Sequence, residues 1–257
     1  MLRLSQGHLN VLETCPRKFQ HLYIDRLGSP NDPQLQELGE WGNRFHLMMQ
    51  QQELGLPIEG LLREDTALKE AIAALKTAAP HLFESQPDSF REAEHGRSLI
   101  VCDRWLTVIY DLLIATPQSA QIIDWKTYPQ PKQPKWIEQN WQTRLYLYVL
   151  AETSDYEPEQ LSMTYWFVRL PDEPQSLTLT YNRQKHEQNH RDLINLLSQL
   201  DRYLEQYRND NLPFPQVPTT QQDRCDRCAF AALCQRPTPQ PERDWSSTLD
   251  EVSEIPL

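Results

Sequence analysis

RWLTVIYDLLIATPQSAQIIDWKT, residues 104–127, decides the fold of this chain. Two alternating apolar runs flank the breaker cluster Thr116-Pro117-Gln118-Ser119. The pattern predicts two strands, about 104–115 and 120–127, joined by a turn. An even-length loop centred between Pro117 and Gln118 pairs residues whose numbers sum to 235. Asp111 and Asp124 meet that sum, so the expected register sets them face to face, roughly 4.5–5.5 Å apart at Cβ. Like charges so placed repel unless a cation lies between them, and carboxylate oxygens suit magnesium or manganese. Side chains alternate along a strand, so Lys126 shares the face of Asp124 and Trp125 points away. Two carboxylates and an ammonium on one face suit metal-assisted hydrolysis. The plainer reading, a solvated strand face, conflicts with the neighbours. VIYDLLI and AQIIDWKT are too apolar for a sheet with one wet side, and buried carboxylates need partners.

Outward from this hairpin, helices are expected at 5–24 (with Ser5 as cap), 34–54 and 64–79. Strands are expected near 90–95 and 98–102, ahead of the hairpin. After it come a helix at about 135–152, strands near 161–169 and 176–181, and a long polar helix over 183–208. The order implies a mixed α/β (α+β) fold, with a mixed sheet flanked by helices. Glu92 and Glu94, on the strand before the hairpin, are further acidic candidates for a metal site. Residues 210–224 read as a proline-bearing linker, and 236–257 as a disordered acidic tail.

The 257 residues suffice for one sizeable domain with an appendage. No segment has the apolar length of a membrane span, and MLRLSQGHLN lacks the apolar core of a secretory signal. The expectation is a cytoplasmic protein with no membrane partner. Net charge is −11, and removing the tail's net −3 leaves −8. Such acidity argues against general nucleic-acid affinity, so any binding must use a local basic patch.

Three of the five cysteines, Cys225, Cys228 and Cys234, form C-x2-C-x5-C. A fourth thiolate elsewhere would complete a site for zinc or an iron–sulfur cluster. Cys15, in ETCPRKF, is one candidate. Cys102, in the apolar run SLIVC, reads as a small buried hydrophobe. Arg17, Lys18 and Arg26 lie near Cys15, and Arg224, Arg227 and Arg236 near the other three. If the two segments meet, these cations form a phosphate-binding patch, or else balance a tetrathiolate's charge.

Gln142 and Tyr146, four apart in WQTRLYLYVL, share a helical face. Gln142 could hold a phosphate or orient a water, and Tyr146 could stack beside it; otherwise both belong to the core or its edge. His46 follows Gly42 by one turn. Taken alone it reads as a core histidine.

The ordered series of motifs resembles the RecB-like branch of the PD-(D/E)XK nuclease superfamily, close in pattern to its iron–sulfur members, the AddB nuclease domain and the CRISPR-associated exonucleases. The matching segments are LSQGHLNVLETCPRKFQHLYI, GNRFH at 42–46, YD at 110–111, IIDWKT, QTRLY at 142–146 and CDRCAFAALC at 225–234. No glycine shortly precedes Asp111, where many relatives have one. The resemblance implies a restriction-endonuclease-like core at about 34–182 within one nuclease domain, 1–235. It implies a [4Fe–4S] cluster on Cys15, Cys225, Cys228 and Cys234, joining segments 5–30 and 222–235, with zinc as the alternative. It makes His46 a metal ligand beside Asp111, Asp124 and the backbone carbonyl of Trp125, for Mg2+ or Mn2+.

The function so implied is a DNA nuclease, an exonuclease on single strands or free ends, working in repair or recombination. Lys126 would position or help deprotonate the attacking water, and Gln142 would orient the strand. Arg17, Lys18, Arg224 and Arg227 would contact nucleic acid. The chain has no G-x-x-x-x-G-K-[ST], so a helicase motor or a CRISPR or repair protein would be a separate partner. The competing readings are a nucleic-acid-binding scaffold, a redox sensor and a structure-specific endonuclease.

Overall fold

The computed structural model describes residues 2–28, 33–63, 65–84, 88–128, 134–169, 173–226 and 228–236, without the side chains of 33–38 and 134. The expected tail therefore lies outside the described residues, apart from Arg236. The elements are β1 (Arg3–Leu4), α1 (Gln6–Thr14), α2 (Pro16–Phe19), α3 (Pro33–Glu53), α4 (Thr66–Ala78), β2 (Phe90–Val101), β3 (Arg104–Ala115), β4 (Ala120–Lys126), α5 (Pro134–Gln139), α6 (Trp141–Glu152), β5 (Leu161–Phe167), β6 (Gln175–Thr180) and α7 (Arg183–Asp210). No helix among them is long and apolar enough to cross a membrane.

The chain divides into two compact units. The described residues of Met1–Asp32, Ile100–Leu106 and His190–Ser253 form one, and those of Pro33–Leu99 and Thr107–Asn189 the other. The second unit holds most of the sheet. β2 pairs with β3, β3 with β4 antiparallel, β4 with β5 parallel, and β5 with β6 antiparallel. This is the mixed sheet that the sequence implied. One face packs on α3 and α4 through Phe45, Met48, Ile72, Leu75, Leu112, Ile123, Trp125 and Trp166. The other face meets α6, where Thr143 reaches Tyr165 and Tyr146 packs against Tyr110. Both sides of β4 are covered, and all its residues but Gln121 are buried.

In the first unit, β1 pairs parallel with the start of β3, Arg3 opposite Trp105 and Leu4 opposite Leu106. The single helix expected at 5–24 is three pieces. Ser5 caps α1 as expected, with its own N–H donated to His8. Cys15 is then extended, at φ −156° and ψ 101°, because the residue before a proline is driven out of the α region. After α2 the chain passes into a π-helical turn, Gln20–Ile24. Arg17 Nε donates to Phe214 O at 2.6 Å and Gln20 Oε1 accepts from Phe214 N at 2.7 Å. These bonds pin the N-terminal helices to the segment that follows α7.

Candidate active site

The β3–β4 hairpin has the register that its turn dictates. Ala115 faces Ala120, Ile114 Gln121, Leu113 Ile122 and Leu112 Ile123, each pair summing to 235. Thr116 closes the loop by accepting from the Ser119 N–H at 3.2 Å. One step beyond Leu112 the expected geometry gives way. Asp111 Oδ2 accepts the backbone N–H of Trp125 at 2.7 Å and lies 3.4 Å from His46 Nδ1. Asp124 instead looks to α6. Tyr110 donates to the Tyr146 carbonyl on α6, while Leu112, two residues on, packs with α3. A regular strand would put those two on one face, so alternation breaks at Asp111. The two aspartates thus take different partners, Asp111 the Trp125 N–H and His46, Asp124 Lys126 and Gln142, and the paired ladder ends one step before them, at Leu112 and Ile123.

The neighbouring strand breaks at the matching point. Arg91 reaches Glu53 of α3, with bonds of 2.8 Å to each carboxylate oxygen. Arg97 reaches Thr153, at the end of α6, at 2.7 Å. His95 stacks on Tyr110. Odd-numbered residues thus change face along β2, and the change falls at Glu94, whose φ is +53°. A left-handed residue within a strand re-aims the side chains around it, at a cost of roughly 1–2 kcal/mol for a non-glycine residue. A two-residue turn, Cys102-Asp103, joins β2 to β3, and both residues have positive φ, 47° and 55°. Such a turn pairs residues summing to 205, which places Glu94 opposite Asp111. His46, Glu94 and Asp111 each offer a ligand atom, and the three atoms lie within 4.8 Å of one another. A nitrogen and two carboxylate oxygens suit a divalent ion. Glu92 does not join them; it pairs with His95. Gly42 brings the helix close enough, since a Cβ there would meet Thr127 Oγ1 at 2.8 Å.

Beside this group, three side chains close a ring. Lys126 Nζ lies 2.6 Å from Asp124 Oδ1 and donates to Gln142 Oε1 at 2.7 Å. Gln142 Nε2 donates back to Asp124 Oδ2 at 2.7 Å. Asp124 is 0% exposed and Lys126 6%. Gln142 is held in turn by a helix break. The one helix expected at 135–152 stops at Asn140, whose Oδ1 accepts from Gln142 N at 2.8 Å and starts α6. Both ends of the Gln142 amide are thus spent on Asp124 and Lys126. Tyr146, expected beside a substrate, is instead 3% exposed and packed edge-on against Tyr110 at 5.3 Å, so it supports the site from the core. The Trp125 peptide sits beside Asp111, and its ring packs edge-on to Phe45. Burial pushes the Tyr165 hydroxyl well above the usual tyrosine range, with the Asp124 carboxylate adding to the effect.

The family model of the PD-(D/E)XK nuclease superfamily matches residues 3–235. The chain belongs to this superfamily. Two solved structures match this chain. One is the "putative exonuclease" from Eubacterium rectale, 10% identical, with a TM-score of 0.55 over 98% of this chain and 94% of that one. The other is SSO0001, 14% identical, with a TM-score of 0.41 over 90% and 85%. No curated protein matches. PD-(D/E)XK nucleases use divalent metals, and the His46–Glu94–Asp111 group has the donors for one.

The remaining residues expected to act in this PD-(D/E)XK chain are spread through the first unit. Cys225 and Cys234 each have thiols raised by burial first. Cys15 and Cys228 raise both further, so the four cysteines lie within electrostatic reach of one another. Among the described residues they do not form a group within 4.8 Å. Cys102 is not a buried strand residue. It is exposed at the β2–β3 turn, because its positive φ belongs to the turn and not to the run SLIVC. Arg17 and Arg224 donate to the carbonyls of Phe214 and Thr14. The Lys18 N–H turns to Cys15 Sγ at 3.4 Å, and Arg227 lies outside the described residues. Sequence reasoning left Glu94 as one of two acids and missed Tyr165. The signal for Glu94 was the sum of 205, had Cys102-Asp103 been read as a turn.

Proposed function

We propose that the protein is a divalent-metal-dependent deoxyribonuclease of the RecB-like type, an exonuclease acting on single-stranded DNA or DNA ends in repair or recombination. The observation that carries the reading is the closed ring Asp124–Lys126–Gln142 standing beside His46, Glu94 and Asp111. An Mg2+ or Mn2+ ion held by His46, Glu94 and Asp111, with Asp124 and the Trp125 carbonyl as neighbours, would lower the pKa of a bound water and neutralise charge on the phosphate. Asp124 holds Lys126 in place. Lys126 stabilises the developing negative charge and orients the water. Gln142 fixes both partners so that neither must reorganise during the reaction. The fold likeness to the "putative exonuclease" supports the choice of exonuclease.

The cluster forms part of the same proposal. Cys15, Cys225, Cys228 and Cys234 would hold a [4Fe–4S] cluster that braces α2 against the C-terminal segment. A single tetrahedral zinc needs sulfurs about 3.8 Å apart, from its Zn–S bonds. Zinc is the alternative occupant of the same four thiols.

The test is cleavage of linear single-stranded and duplex DNA, labelled at each end, with manganese or magnesium, by anaerobically purified wild-type and Asp124→Asn proteins. Metal-dependent cutting that is lost in the variant is the expected result, and the label released first gives the polarity. Equal cutting by both proteins would overturn the assignment. No cutting by cluster-loaded wild type would point to a binding module or to a nuclease needing a partner.

A further inference from the structure

The Lys126 side chain is 8% exposed, and besides Asp124 and Gln142 two aromatic rings stand by its ammonium. Nζ lies 5.2 Å from the ring centroid of Tyr165 and 6.0 Å from that of Tyr128. A cation over a ring face is attracted by the ring quadrupole, and more strongly where water is excluded.

Each ring has its own anchor. The parallel β4–β5 register sets Tyr165 beside Asp124, one strand over from the lysine. Thr143 donates its only hydroxyl hydrogen to Ile137 O at 2.6 Å. The 2.6 Å contact between the Tyr165 and Thr143 hydroxyls must therefore have Tyr165 as donor. That bond locks the ring from its far end, with its face turned to the ammonium. Tyr128 follows β4, stands two residues beyond Lys126 and packs on Phe167 at 5.9 Å. It is half-buried, so it forms the outer wall of the same seat.

We propose that Tyr165 and Tyr128 are positioning residues for Lys126, holding the ammonium against Asp124 and Gln142 by their ring faces. A lysine carries four rotatable bonds, and a polar ring alone leaves its approach direction open. Two aromatic walls restrict it to the one position from which it meets both the carboxylate and the amide oxygen. The Tyr165 hydroxyl plays no part in this; it is spent on Thr143. The inference rests on the nuclease reading above, in which Lys126 acts on the phosphate.

The experiment uses full-length wild type with Tyr165→Phe, Tyr165→Leu, Tyr128→Phe and Tyr128→Leu, measuring kcat and KM on the DNA that the wild type cuts, and melting temperature. Tyr165→Leu keeps an apolar side chain and removes the ring, so kcat falls about tenfold or more while KM stays within about twofold. Tyr165→Phe keeps the ring and breaks the Thr143 bond. It melts about 2–4 °C lower yet keeps kcat within about threefold. Tyr128→Leu lowers kcat and Tyr128→Phe restores it. Leucine and phenylalanine variants with equal kcat at both positions would overturn the proposal, and so would a loss in KM alone. Should Tyr165→Leu fail to fold, the Tyr128 pair decides by the same criterion. A wild type that does not cut is the separate failure of the nuclease reading.

Discussion

Glu94 of β2 and Asp111 of the neighbouring β3 bring carboxylate oxygens within 4.8 Å of each other and of a His46 ring nitrogen. Two carboxylates in that position repel when nothing lies between them. Replacing one should therefore have opposite effects with and without metal. Metal-free Glu94→Gln is expected to be more stable than the wild type, by about 0.2–1 kcal/mol. Its gain in melting temperature on adding manganese should be smaller, because ligand-linked stability follows affinity. The manganese concentration for half-maximal cleavage should rise about tenfold or more. Thermal melts across a manganese titration check all three, and a variant that gains as much from manganese as the wild type would remove Glu94 from the site.

Asp124 is wholly buried against Lys126, so its removal is not a neutral experiment. Asp124→Ala strands a buried ammonium and should cost about 3–5 kcal/mol of stability along with activity. Asp124→Asn keeps the shape and one of the two acceptor oxygens and should lose activity with a smaller stability loss. Urea unfolding of both beside the wild type separates the two effects. Equal stability losses would mean that the carboxylate charge, which both variants remove, carries the whole effect and the side-chain shape none of it.

Gln142 spends both ends of its amide on Asp124 and Lys126, and this fixes the sign of its effect. Gln142→Ala should lower kcat about 10–100-fold with little change in KM, because misplacement of a reacting group by about 1 Å costs on that order. A mutant altered only in KM would return Gln142 to the role of strand contact.

Much of this arrangement was legible in the sequence, and the part that was not has a common cause. Turn chemistry at Thr116-Pro117-Gln118-Ser119 sets the β3–β4 register by counting, and the structure keeps it. The faces could not be counted, because alternation assumes an unbroken strand. Glu94 adopts a left-handed conformation that its residue type does not announce, and Asp111 is turned by a bond to the Trp125 N–H from the next strand. The helix breaks at Cys15 and Asn140 are local events, one imposed by Pro16 and the other by a cap, and a window averaged over hydrophobic period passes across both. Cys102 was misplaced for the converse reason: an apolar run continued up to the turn.

Gly42 and Thr127 are packed so closely that a methyl group matters. A Cβ on residue 42 would lie 2.8 Å from Thr127 Oγ1. Gly42→Ala should push α3 away from the end of β4, and His46 with it, costing about 1–3 kcal/mol and weakening metal binding. Thr127→Ala empties the contested space, so the double variant should recover most of that loss. A double-mutant cycle in urea midpoint and manganese affinity measures the coupling, and simple additivity would show that the contact is relieved elsewhere.

The buried tyrosines set an alkaline limit to the fold. Burial pushes the hydroxyls of Tyr110 and Tyr165 far above the ordinary tyrosine value of about 10. In the unfolded chain both ionise near that value; in the folded one they stay protonated. Their contribution is therefore complete below pH of about 10 and is lost as pH rises above it, by up to about 1.4 kcal/mol per pH unit for each. Tyr110→Phe forfeits the bond to the Tyr146 carbonyl, about 1 kcal/mol at neutral pH. It also removes one ionising group from the unfolded state, so its stability should fall less steeply than the wild type's above pH of about 10. The two curves should converge there. Urea midpoints followed from pH 8 to pH 11 give the slopes, and parallel curves would mean that Tyr110 reaches solvent before it ionises.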